Sequence, residues 1–342
     1  MRSVVIDNPG AVRIDVTPDP VLPDSAGAIV AIESSAICGS DLHFFDGDYP
    51  LVSPLALGHE AVGTVVEVGA DVANHRVGDR VLVSSVSGCG QCAGCATLDP
   101  TRCVRGLVIF GGGLLGGAQS ELLAVPAADF HLLAVPDAVD TDTALLLTDN
   151  LVTGWAGVAR ADVPEGGSVI VFGLGAVGLC AVRSALAQGV GTVFAVDPVP
   201  GRRARAAADR VITLDPADLG AVTEATGGVG PDSVVDAVAS DATLNAGLTC
   251  VRAGGTVSVI GVHDLNPYPF PATMCLVRSV TLRSTTAPVQ QLWPTIVDEV
   301  QSGRLDTSGI VTHHLPFDEA PRAYELAAAR SADCVKVALE LA

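Results

Sequence analysis

From Met1 to about Thr148, apolar and polar positions alternate in short runs broken by Gly, Pro and Asp, as at 3–6, 27–32 and 63–68. Alternation with a period of two marks half-buried strands, so the first part of the chain predicts a β-rich domain. At about Asn150 the rhythm changes to continuous apolar runs separated by Ala-rich helical stretches. Strands buried on both faces read as unbroken apolar runs, so this region predicts an α/β domain with a parallel, doubly wound sheet. Its strands are expected at 168–172, 192–196, 211–214, 233–238, 256–260 and 279–284, followed by a helix at 292–302. The tail returns to mixed strand and helix and most economically rejoins the first domain. The expected division is therefore 1–149 with 286–342 around an inserted domain of 150–285.

Length agrees with two domains and a cleft between them, because 342 residues exceed the ~250–300 at which a single core stops growing. With 49% hydrophobic and 17% charged residues, the chain has enough apolar surface to fold compactly. No apolar run reaches the roughly 18 residues of a membrane span, and the N-terminus starts on a strand-like segment instead of a signal sequence. A cytoplasmic protein with no membrane partner is expected. The net charge of −19, with Lys336 the sole lysine among 19 basic side chains, excludes nucleic acid as a partner. The acidity itself reads as solubility or as adaptation to salt.

Two patterns carry chemistry. Gly173-Leu174-Gly175-Ala176-Val177-Gly178 follows an apolar strand and opens a helix-forming run. In that setting the first glycine permits a tight turn, the second lets a diphosphate approach the backbone, and the third lets helix and strand pack closely. Asp197 ends the next strand about 20 residues on, where an acidic residue binds the adenosine ribose and repels a 2′-phosphate. NAD is the expected cofactor, although Arg202 and Arg203 could offer a phosphate a partner.

The second pattern is cysteine. Of nine, Cys89, Cys92, Cys95 and Cys103 form C-x2-C-x2-C-x7-C, a spacing that wraps one closed, tetrahedral, structural zinc site. Upstream lie Cys38-Gly39-Ser40-Asp41-Leu42-His43 and Gly58-His59-Glu60. Cys38 and His59 could supply two of the three ligands of an open catalytic zinc. On spacing alone they fit core positions at least as well. Cys180, Cys250, Cys275 and Cys334 read as small apolar residues, and His313 and His314 as strand or surface positions. Phe44, Phe45, Phe110 and Trp155 are pocket-wall candidates or core.

Taken in order and spacing, these segments resemble the zinc-containing alcohol dehydrogenases of the medium-chain dehydrogenase/reductase superfamily over essentially the whole chain. The resemblance implies a GroES-like β-rich catalytic domain joined to a Rossmann domain. It makes Cys38 and His59 ligands of the catalytic zinc, Glu60 a neighbouring carboxylate, Asp41 the group orienting His59, and Ser40 and His43 members of a proton relay. Thr148-Asp149-Asn150 with Thr153-Gly154 looks like the branch whose third ligand is an aspartate, here Asp149. A turn or N-cap aspartate is the simpler reading of that residue. Finer detail at 111–117, at Asp197-Pro198 and at 316–320 resembles the branch that includes glutathione-independent formaldehyde dehydrogenases.

The resemblance thus implies two zinc ions and NAD per subunit, a hydride passed between NAD(H) and an alcohol, aldehyde or ketone, and a homodimer or homotetramer. Cys38 and Asp149 as anions with neutral His59 would balance the zinc charge, and a relay through Ser40 and His43 would carry the alcohol proton outward. The competing readings are a zinc-free NADPH-dependent enone reductase of the same superfamily and a catalytically silent nucleotide-binding protein.

Overall fold

The computed structural model describes residues 1–51 and 53–341. It forms two compact units: 1–152 with 288–301 and the tail from Val311, and 153–287 with 302–310.

In the first unit the strand Ala28–Ile37 pairs antiparallel with Glu60–Val68, Leu122–Val125 and Val337–Glu340. Arg80–Val83 and Leu132–Ala134 extend this seven-stranded sheet on one side, and His313–Pro316 on the other. Register decides what meets at its end. Ala36 lies opposite Glu60 and Ile37 opposite Val337. The next residue on each strand path, Cys38, His59 and Lys336, is thereby delivered to one place. Apolar positions of these strands, among them Val30, Ile32, Val65, Val81 and Val83, form one core.

The second unit carries a six-stranded parallel sheet in the order Val211–Leu214, Thr192–Val196, Ser168–Phe172, Ser233–Asp236, Thr256–Val259, Thr281–Ser284. That is the doubly wound arrangement whose order reverses at its first strand. Three strands coincide with the apolar runs expected of them. The strand expected at 256–260 ends one residue early, at Val259, and two others are shortened for visible reasons. The strand expected to reach 238 ends at Asp236, whose carboxylate accepts the N–H groups of Val238 and Ala239 at 2.9 Å and turns the chain. The strand expected from 279 begins at Thr281, because Ser279 caps the preceding helix in the left-handed conformation at φ 55°. The helix expected at 292–302 spans Val289–Gln301. Segment 302–310 belongs to the second unit, where Arg183 Nη1 meets Asp306 at 2.7 Å and Arg205 donates to the Gly309 carbonyl at 3.4 Å. Among the described residues no helix is long and apolar enough to cross a membrane.

Candidate catalytic and metal centres

The glycine turn sits between the strand Ser168–Phe172 and the helix Ala176–Ala187. Gly173 has φ +82°, and a Cβ on Gly178 would lie 1.7 Å from the Gly173 carbonyl oxygen, so the first and third glycines are demanded by the chain itself. Gly175 is different: a Cβ there would meet nothing within 4 Å. The open space lies at a helix N-terminus, where a diphosphate is favoured, and Ala176 and Val177 begin that helix. The residues present fit a dinucleotide. Asp197 is buried, its Oδ2 accepting the Leu174 N–H and its Oδ1 the Val199 N–H, both at 2.8 Å. It therefore also ties the glycine turn to the end of its own strand. Arg203 is engaged by Asp215 at 3.0 Å, and Arg202 is half-buried in the helix Pro200–Ala206.

Cys89, Cys92, Cys95 and Cys103 bring their sulfurs within 4.8 Å of one another. Backbone N–H groups of Cys95 and Val104 lower Cys92 to about 6, whereas burial and the adjoining thiols raise Cys95 to about 12. Four thiolates cannot share this volume without a cation, and this donor set is that of a closed zinc site. His131 anchors the loop. Its Nδ1 meets the Pro126 carbonyl at 2.6 Å while its Nε2 accepts the Gly88 N–H at 3.0 Å. Burial lowers this histidine to about 4, so it stays neutral and can accept that bond.

The second cluster gathers Cys38, His59, Glu60 and Asp149, again within 4.8 Å. Cys38 caps the helix Gly39–Asp46, and Asp41, three residues on, closes the capping box by accepting the Cys38 N–H at 2.9 Å. Asp41 also faces His59 Nδ1 at 3.4 Å, leaving Nε2 turned toward Asp149 at 3.7 Å. Asp149 ends the helix Thr141–Thr148 as its C-cap, while Asp140 caps the start. The Asp149 carboxylate accepts Ser85 Oγ at 3.1 Å and lies 3.7 Å from Cys38 Sγ. Ligands about 2.0–2.3 Å from a tetrahedral zinc lie ~3.3–3.8 Å apart, so these two edges have the length a metal site would need.

A buried lysine completes the cluster: Lys336 Nζ lies 2.6 Å from Glu60 Oε1. Burial by itself would lower Lys336, but Glu60 and Cys38 outweigh it and keep it charged. For His59, burial is likewise outweighed by Asp41, Cys38 and Asp149, which hold it well above its ordinary value. For Asp149 burial is outweighed by His59, Lys336 and Ser85, which take it down to about 2. Buried charges of this kind are costly unless each is paired.

Ser40 Oγ lies 3.5 Å from His59 Nε2, and His43 holds Asp48 at 2.8 Å while stacking on Tyr49. Among the described residues Ser40 and His43 share no direct hydrogen bond. Phe45 and Phe110 pack into apolar cores, Phe44 meets Tyr49 edge-on, and Trp155 is buried in the second unit. Pattern reading missed several residues of this site. Asn150 donates to Glu60 at 2.9 Å; Ser85 and Lys336 hold carboxylates; Gln119 and Tyr324 stand behind Asp41. Only Lys336, a lone cation in an apolar stretch, left a local signal.

A doubly wound nucleotide sheet, a closed four-thiolate centre and an open mixed centre together define a metal-dependent, nucleotide-linked oxidoreductase. Residues 24–137 match the alcohol dehydrogenase GroES-like domain and residues 176–302 the zinc-binding dehydrogenase domain. A probable zinc-binding alcohol dehydrogenase of Mycobacterium tuberculosis is 56% identical over 339 residues, covering 99% of this chain and 88% of that protein. The alcohol dehydrogenase TADH from Thermus sp. ATN1 superposes with a TM-score of 0.94 at 35% identity, each chain covered completely. A zinc-dependent alcohol dehydrogenase from Streptococcus pneumoniae gives 0.91 at 29% identity, covering 99% of this chain and 98% of the other. The chain belongs to the zinc-type alcohol dehydrogenases of the medium-chain dehydrogenase/reductase superfamily.

Proposed function

We propose that this protein is an NAD-linked alcohol dehydrogenase holding two zinc ions per chain, one in the four-cysteine loop and one on Cys38, His59 and Asp149. The observation that carries the reading is the convergence of those three donors, with Asp149 3.7 Å from both Cys38 Sγ and His59 Nε2. Glu60 is the outer neighbour, since Lys336 at 2.6 Å and Asn150 at 2.9 Å already engage its Oε1. When bound, zinc supplies Lewis acidity toward an alcohol oxygen, and NAD accepts the hydride. The chain's own part is positioning and proton handling. Ser40 Oγ would take the alcohol proton as it gives up its own and, having no direct bond to His43, would pass it through an intervening hydroxyl to His43 Nε2, while Asp48 holds Nδ1.

For the cofactor, the carboxylate of Asp197 and the neutralisation of Arg203 by Asp215 both favour NAD over NADP. None of the nine cysteines forms a disulfide among the described residues, which fits a reducing cytoplasm. A homo-oligomer is supported by Thr281–Ser284, an edge strand exposed along its whole length, and by Leu276 and Val277 just before it, 79% and 77% exposed.

Asp149→Ala tests the reading. The expected variant is folded, keeps one zinc, and has lost oxidation of a panel of primary and secondary alcohols with either NAD or NADP. A variant that retains two metals and near-parent rates would remove Asp149 from the ligand set, and a parent that prefers NADP would overturn the cofactor assignment.

A further inference from the structure

Behind Asp41 runs a line of polar side chains buried on every side. Tyr324, on the helix Ala320–Ala328, donates its hydroxyl to Gln119 Oε1 at 2.8 Å. Gln119 Nε2 donates to the Ala36 carbonyl at 3.2 Å and to Asp41 Oδ2 at 3.4 Å. Asp41 holds the Cys38 N–H with the same oxygen and faces His59 Nδ1 with the other. Tyr324 and Gln119 are each 0% exposed, Asp41 3% and His59 5%. The approach is built into the backbone: Gly58, with φ +95°, precedes His59, and a Cβ there would lie 2.4 Å from Gln119 Cγ.

Both partners of the Gln119 amide nitrogen are pure acceptors, so the amide has one orientation, with Oε1 pointing away from Asp41. Oε1 then requires a donor, and the Tyr324 hydroxyl provides it. Without that donor a carbonyl oxygen is left unpaired in the core, which favours swinging the amide away from Asp41. Stacking on Phe45, ring centroids 5.8 Å apart, fixes the tyrosine ring.

We propose that Tyr324 and Gln119 are positioning residues for the catalytic centre, setting the His59 ring through Asp41. The proposal rests on the zinc reading above. Partners of this kind commonly govern metal affinity by 10–100-fold. Tyr324 stands two links removed, so Tyr324→Phe should release the catalytic metal to a chelator about tenfold faster. Release from the four-cysteine loop should stay at the parent rate. The rise in melting temperature on adding zinc to metal-free protein should shrink, and the visible spectrum of cobalt in the catalytic site should shift. Gln119→Met, which keeps the length and removes both polar ends, should behave alike, and the double variant should be no worse than either single one.

A merely structural role would lower the melting temperature of metal-free and loaded protein equally and leave release and spectrum unchanged. That outcome, or strictly additive effects, overturns the proposal. A parent that takes up only one zinc sinks the functional reading as well, whereas a two-zinc parent with an indifferent Tyr324→Phe sinks this inference alone.

Discussion

His131 shows how one side chain can tie a loop to a sheet and make the tie depend on pH. Its ring accepts the Gly88 N–H only while neutral, and burial takes it from an ordinary 6.5 to about 4. Above 6.5 neither the folded nor the unfolded chain carries the proton, and the contribution to stability is fully present. Between 6.5 and 4 the unfolded chain takes up a proton that the folded one refuses, so stability falls with falling pH. About 2 kcal/mol should be lost in this way between pH 7 and pH 5. His131→Gln should flatten that dependence, read from urea midpoints at the two pH values; parallel slopes in parent and variant would show that the ring is not the source. Asp149 makes a different residue-scale point. Its neighbourhood in the chain reads equally well as a turn, and only folding, which brings Ser85, Cys38 and His59 around the carboxylate, gives it a ligand's surroundings.

At the scale of elements, the edge strand Thr281–Ser284 pairs with a neighbouring strand on one side only, among the described residues. A second copy is the natural cover. Light scattering should give the parent a mass of at least two 34.6 kDa chains, and Leu276→Asp combined with Leu282→Lys should shift it toward one chain. A monomeric parent would contradict this. Strands of the parallel sheet were legible because burial on both faces leaves unbroken apolar runs, and the strand Thr192–Val196 ends where its run ends. Strand ends were less legible where a side chain turns the backbone, as Asp236 does, because no period in the pattern reports it. The four-cysteine loop could be read because its donors are close in sequence. The polar line from Tyr324 to Gln119 could not: 205 positions separate its members, and each alone looks like an ordinary core-facing or surface residue.

Across the whole molecule, acidic groups outnumber basic ones 38 to 19, and the basic side chains are almost all arginine. Arginine keeps its charge wherever it sits and forms forked pairs such as that of Arg13 with Asp7 and Asp15. The one lysine is 2% exposed and spent on Glu60 beside the catalytic cluster. A consequence follows for covalent chemistry. Reagents that acylate primary amines are shut out from the Lys336 side chain while the chain is folded. Mass spectrometry of the peptide carrying Lys336, after brief exposure to an acylating ester, should show it unmodified in the folded protein and acylated after denaturation. A modified Lys336 in the folded chain would mean that the strand end opens readily. If the adduct is confined to unfolded chains, its slow appearance under native conditions becomes a clock for opening at the strand end that holds Glu60, with no probe introduced.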